Sequence, residues 1–94
     1  MAAQKMLSDK LVQHLRCLES GSQLSLLGDD ELQELNNAIE SGNIFNRLGQ
    51  RVERKLDEGL VNAEQSIVYA VFNQIPQLIL DESISLDQLN GIKS

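Results

Sequence analysis

The stretch Ser66-Ile-Val-Tyr-Ala-Val-Phe-Asn-Gln-Ile-Pro-Gln-Leu-Ile-Leu80 decides how this chain folds. It is the only long apolar run, and nothing from Ser66 to Leu80 is charged. β-Branched, aromatic and small residues in such a run suit a pleated, buried surface. Two strands joined by a tight turn at Asn73-Gln74 are therefore predicted. Pro76 lacks a backbone N–H, so it must begin the second strand or lie on an exposed edge. Alternation puts Ile67, Tyr69 and Val71 on one face and Val68, Ala70 and Phe72 on the other. Both faces are apolar, and a small domain rarely covers both faces of a hairpin by itself, so something else must lie against one of them.

Outward from this ribbon, 94 residues make one domain, with 1–6 and 88–94 as loose ends. A fold of several βαβ units would not fit in that length. Leu7, Ser8 and Val12 occupy staple and cap positions, which predicts a short N-terminal helix over about 9–15 with Leu11, Val12 and Leu15 inward. A loop from Cys17 to Ser22 follows, then a first strand in Gln23–Leu27. Gly28-Asp29-Asp30-Glu31 opens a second helix, 29–41, with Leu32, Leu35 and Ile39 buried and Gly42 as a left-handed cap. Ile44, Phe45 and Leu48 are anchors in a loop, and Arg51–Leu56 reads as a polar strand or an extended connector. Gly59-Leu60-Val61 is a short strand, Asn62–Gln65 a turn, and Asp81–Leu86 a closing turn or helix. The fold class expected is α+β: a small antiparallel sheet of three or four strands, an N-terminal helix and an inserted helix.

Composition narrows function. A net charge of −6 argues against a general nucleic-acid binder. Phe45, Tyr69 and Phe72 are the only aromatics, too few for a base-stacking platform. One cysteine, Cys17, allows no internal disulfide, and no apolar run reaches membrane-spanning length or forms a signal peptide. A cytoplasmic location without membrane contact is expected.

The order of elements resembles the small methyltransferase-activator family, of the Trm-one-twelve type with YcaR-like bacterial members. The first matching segment is Leu15-Arg16-Cys17-Leu18-Glu19-Ser20-Gly21-Ser22-Gln23-Leu24. The second runs through Leu60-Val61, the turn Asn62–Gln65, Tyr69-Ala70 and Asn73–Leu80. Leu18 and Ala70 stand where the family has prolines. The zinc-binding members carry two cysteine pairs, and the matching positions here are Cys17, Ser20, Asn62 and Gln65. One thiolate cannot make a closed four-ligand site, so no zinc is expected, and packing and hydrogen bonds must hold the loop. The resemblance implies a non-catalytic subunit that covers apolar surface on a SAM-dependent methyltransferase, partly by strand addition.

Each sharper chemical reading meets a simpler one. Cys17 and His14 are three residues apart, but a Cys–His nucleophile needs an orienting third group and none is visible. Asp29, Asp30, Glu31 and Glu34 lack the spacing of a calcium loop and read as a solvated helix start. Asp57 and Glu58 have no partner at a telling spacing. Arg47, Arg51, Arg54 and Lys55 crowd nine residues; a solvated face is favoured over a phosphate patch toward a partner's RNA. The dispersed glycines form no phosphate or dinucleotide loop, so no cofactor is expected. That leaves the ribbon, with Tyr69, Phe72, Ile75, Pro76, Leu78 and Leu80 as expected partner-binding residues. The alternative is a stand-alone or self-associating module using the same edge, with a homodimer as one form.

Overall fold

The computed structural model describes residues 12–89. Val12 and Gln13 end an N-terminal helix, and His14 is already in the turn beyond it. Leu15 thus lies outside the helix; the expected start, with Leu7, Ser8, Asp9 and Leu11, lies outside the described residues. Five strands follow: β1 (Ser25–Leu26), β2 (Glu58–Val61), β3 (Ile67–Phe72), β4 (Ile75–Pro76) and β5 (Ile84–Ser85). The inserted helix, Asp29–Glu40, separates β1 from β2. All pairings are antiparallel, in the order β1-β2-β3-β4, with β5 also on β3.

β3 is the axis of this sheet. One edge takes β2 along its length, Glu58 opposite Val71 through Val61 opposite Val68. The other edge is divided between two pieces of chain. Phe72 opposes Ile75, and Gln77 N–H donates to the Ala70 carbonyl at 2.8 Å. Further back, Val68 opposes Ile84, and Leu86 N–H donates to the Ser66 carbonyl at 2.9 Å. Ser66, Val68, Ala70 and Phe72 all turn their backbone toward that edge, so both of its ends are occupied. Between the two anchors, residues 78–83 leave the sheet, and Leu80–Glu82 form a 3₁₀ turn.

The second strand of the ribbon is therefore far shorter than expected, and Leu78, Ile79 and Leu80 are not in it. Of the closing turn or helix expected over Asp81–Leu86, the 3₁₀ turn at Leu80–Glu82 is present, but Ile84–Ser85 form a fifth strand. The sequence carries no local signal for either, because β4 and β5 compete for one edge whose division depends on distant residues. Asn73 and Gln74, at φ 53° and 65°, form a turn with two left-handed residues. That matches the twist of a two-residue hairpin and fixes Phe72 against Ile75. With Ile75 and Gln77 facing β3, Pro76 points its missing donor away from the sheet, where it breaks no ladder bond.

The two faces of β3 separate as alternation demands. Val68 and Ala70, with half-buried Phe72, pack against Leu32, Leu35, Ala38 and Ile39 of the inserted helix, together with Ile44, Leu56 and Ile84. Ile67, Tyr69 and Val71 pack with Val12, Cys17, Leu24 and Leu60, joined by half-buried Leu15 and Leu78. Gly59 keeps β2 close to its neighbours: a Cβ there would stand 3.1 Å from Val68 Cγ1 and 3.3 Å from Leu27 Cδ2.

The inserted helix starts at Gly28 with three acids in its first turn, which favours it through the helix dipole. It stops in a paired cap. Gly42, at φ +80°, donates to Ile39, and Asn43 donates to Ala38. The connector 51–57 bridges Phe45 through Arg51 and meets β3 at its far end, where Asp57 N–H donates to the Val71 carbonyl at 3.1 Å; Arg51–Leu56 between them is extended and not a strand. Asn36 holds its end: Nδ2 donates to the Leu56 carbonyl at 3.0 Å, and Oδ1 accepts Leu56 N–H at 2.8 Å.

Candidate docking surface

The loop 17–22 and the turn 62–65 meet over the Tyr69 face. Arg16 and Gln23 bridge to make a small hairpin, so Cys17 is carried to the end of β3. The Tyr69 hydroxyl accepts Leu18 N–H at 3.0 Å and lies 3.4 Å from Cys17 Sγ. Asn62 Nδ2 reaches the same sulfur at 3.8 Å and the Ser66 hydroxyl at 3.1 Å. Its Oδ1 accepts Ser66 N–H at 2.8 Å and Ile67 N–H at 3.2 Å. At the rim, the Ser20 and Ser22 hydroxyls donate to Glu64 Oε1 at 3.1 and 2.8 Å. The loop is thus held by packing and hydrogen bonds.

Cys17 is only 2% exposed. Burial pushes its thiol up, but the Tyr69 hydroxyl and donors of Ser20 and Glu19 outweigh this and bring it down to about 7. Burial first, and then the Cys17 hydrogen bond, raise the Tyr69 phenol to about 12. No base completes a catalytic pair among the described residues: His14 is exposed and shares no hydrogen bond with the buried thiol. No group of three or more metal-ligating side chains occurs among the described residues, nor is any helix there long and apolar enough to cross a membrane.

The charged candidates sit on the surface. Asp29, Asp30 and Glu31 are exposed in the helix start. The four clustered cations each have a neighbour: Arg47 pairs with Glu19, Arg51 with Glu53 at 3.6 Å and Lys55 with Glu40 at 3.9 Å. The Arg54 guanidinium lies 4.1 Å from the Phe72 ring centroid. These exposed pairs contribute little to stability, yet they leave the strip without a concentrated positive field.

The expected partner-binding residues divide. Tyr69 is wholly buried and has no surface to offer. Leu78 is half-buried and packs on the Tyr69 cluster. Phe72, Pro76 and Leu80 are half-buried, whereas Ile75 is 61% exposed at the outer margin of β4. Ile79, which the sequence reading passed over, is 47% exposed on the excursion that follows. Its exposure follows from the chain leaving the sheet after Gln77, which period-two alternation does not reveal. Leu18, Phe45 and Leu48 are the other exposed large apolar residues among those described. Two of their loops are joined, because Arg47 pairs with Glu19 and Leu48 N–H donates to the Asp81 carbonyl at 3.3 Å.

No family model matches the chain, and no curated protein does. Among solved structures, the solution NMR structure of XF2673 from Xylella fastidiosa is similar, with a TM-score of 0.72 and 31% identity over 87% of this chain and 86% of that one. Identity at that level over nearly the whole of both chains, with one shared fold, places this chain in the same family as XF2673.

Proposed function

We propose that the chain is a non-catalytic binding subunit that stabilises or activates a SAM-dependent methyltransferase by covering apolar surface on it. The observation carrying this reading is that two aliphatic side chains, Ile75 in β4 and Ile79 on the excursion that follows, are held in water on a small, acidic domain. Burying a side chain of this kind contributes roughly 1.5–3 kcal/mol before the entropy of association is subtracted. The motifs around Cys17 and from Leu60 to Leu80 point the reading toward a methyltransferase.

The mechanism is sharper than strand addition to the ribbon. Both edges of β3 are occupied by its own chain, and Pro76 withholds a donor from the outside of β4. Side chains therefore make the contact at the β4 margin. Backbone pairing with a partner strand would use the opposite edge, at β1. Any approach to an RNA substrate belongs to the enzyme.

The test is co-expression with the SAM-dependent methyltransferases of the same genome. At least one should gain solubility and turnover, and the double variant Ile75→Asp/Ile79→Asp should abolish the gain while keeping its own fold. Leu78 is the wrong probe, since it packs on the core. Failure of every methyltransferase to co-purify would overturn the reading. A homodimer that the double variant dissolves, seen by light scattering, would transfer the surface to self-association.

A further inference from the structure

The β4 margin also narrows the chemistry of what docks there. On the Phe72 side lies a pocket of about 150 Å³ lined by Val52, Leu56, Ala70, Phe72 and Ile84, with Gln77 after β4 on its rim. The small side chain of Ala70 leaves this space over the middle of β3. Ligand pockets run to about 300–1,000 Å³, so this one admits a single side chain and not a nucleotide. Its rim carries Glu53, Arg54, Gln77 and Glu82. Arg54 is already engaged over Phe72, and Glu53 is 3.6 Å from Arg51. Glu82 is exposed on the 3₁₀ turn.

The sequence reinforces that sign. From Leu56 to Ile92 there is no Lys or Arg, against six acids: Asp57, Glu58, Glu64, Asp81, Glu82 and Asp87. A partner approaching this pocket meets an apolar hole with Glu82 exposed on the 3₁₀ side and Glu53 and Arg54, already engaged with Arg51 and Phe72, on the connector side. We infer that the pocket receives one aliphatic side chain of a protein partner, and that a lysine or arginine beside that side chain faces Glu82. The inference rests on the docking reading above and deepens it, fixing the charge of the partner's contact segment.

It can be tested on the full chain without the enzyme. The ¹⁵N-labelled protein is titrated with two blocked tripeptides, Lys-Leu-Lys and Glu-Leu-Glu. The basic peptide should shift the amides of Ala70, Phe72, Glu82 and Ile84 in a saturable way, and the acidic one should not. Its affinity should fall at least about threefold between roughly 50 and 300 mM salt, because the flanking contacts are exposed and screened. Glu82→Lys, a surface change, should weaken it by a similar factor. Shifts that are absent, equal for both peptides, or spread over the whole acidic surface would overturn the inference. A methyltransferase that binds while Lys-Leu-Lys leaves the pocket untouched would do so too, with the docking reading intact.

Discussion

The two faces of β3 are equally buried but are built differently. On the side of Val68 and Ala70, the inserted helix supplies only apolar neighbours, Leu35 and Ile39 foremost. On the side of Ile67, Tyr69 and Val71, the packing ends in a polar latch, with the Tyr69 hydroxyl, Cys17, Asn62 and the Leu18 amide bound together. The first face draws its stability from area, which tolerates exchange of one aliphatic residue for another of like volume. The second draws its specificity from donors and acceptors that must be matched, since each would be costly if buried alone.

Three experiments break or sharpen the contrast. The largest effect belongs to the helix face. Leu35 is fully buried, and Leu35→Ala should cost about 3 kcal/mol in chemical denaturation through lost burial and the cavity left behind. Leu35→Met should recover most of that, as an area-driven face requires.

The second experiment titrates the latch. The folded Cys17 thiol ionises at about 7, against an ordinary value of 9.0. Its folded value is the lower one, so the thiolate's contribution is complete above pH 9 and is lost as pH falls through 7. The stability difference between the wild type and Cys17→Ser should therefore grow from pH 7 to pH 9, by on the order of 2 kcal/mol. A flat difference would mean that the hydrogen bonds to Cys17 do not favour its charged form.

The smallest effect is expected for Tyr69→Phe, which removes one oxygen and keeps the ring. It should cost about 1–2 kcal/mol, because the Leu18 amide and the Cys17 thiol lose a partner where water has little access. The pH-dependent difference should shrink in the same variant. If Tyr69→Phe were neutral, the latch would be ordinary packing and the two faces would be alike.

The legible parts of this molecule were those governed by period and by caps. Alternation in Ile67–Phe72 assigned each side chain to its face, and the 29–41 pattern with Gly42 placed the inserted helix within a residue. Pro76 announced an edge. What stayed hidden depended on residues far apart in sequence. The division of β3's outer edge between Ile75–Pro76 and Ile84–Ser85 has no local signature, so Leu78 to Leu80 looked like strand. Asn36 seemed an ordinary polar position of the helix, although it clamps Leu56 twenty residues away. Tyr69 was expected at a partner surface, but its hydroxyl is committed to a loop some fifty residues earlier. Ile79 carried no signal because its exposure is decided by where the chain leaves the sheet.

The excursion of residues 78–83 has a consequence for changes of length. Gln77 and Ile84 are each tied to the same neighbouring strand, so the span between them is set by β3 and not by the segment itself. Doubling a flexible loop adds only about 0.6 kcal/mol of closure entropy. Residues 79–82, between half-buried Leu78 and buried Ser83, can thus change in length without moving a rung of the ladder.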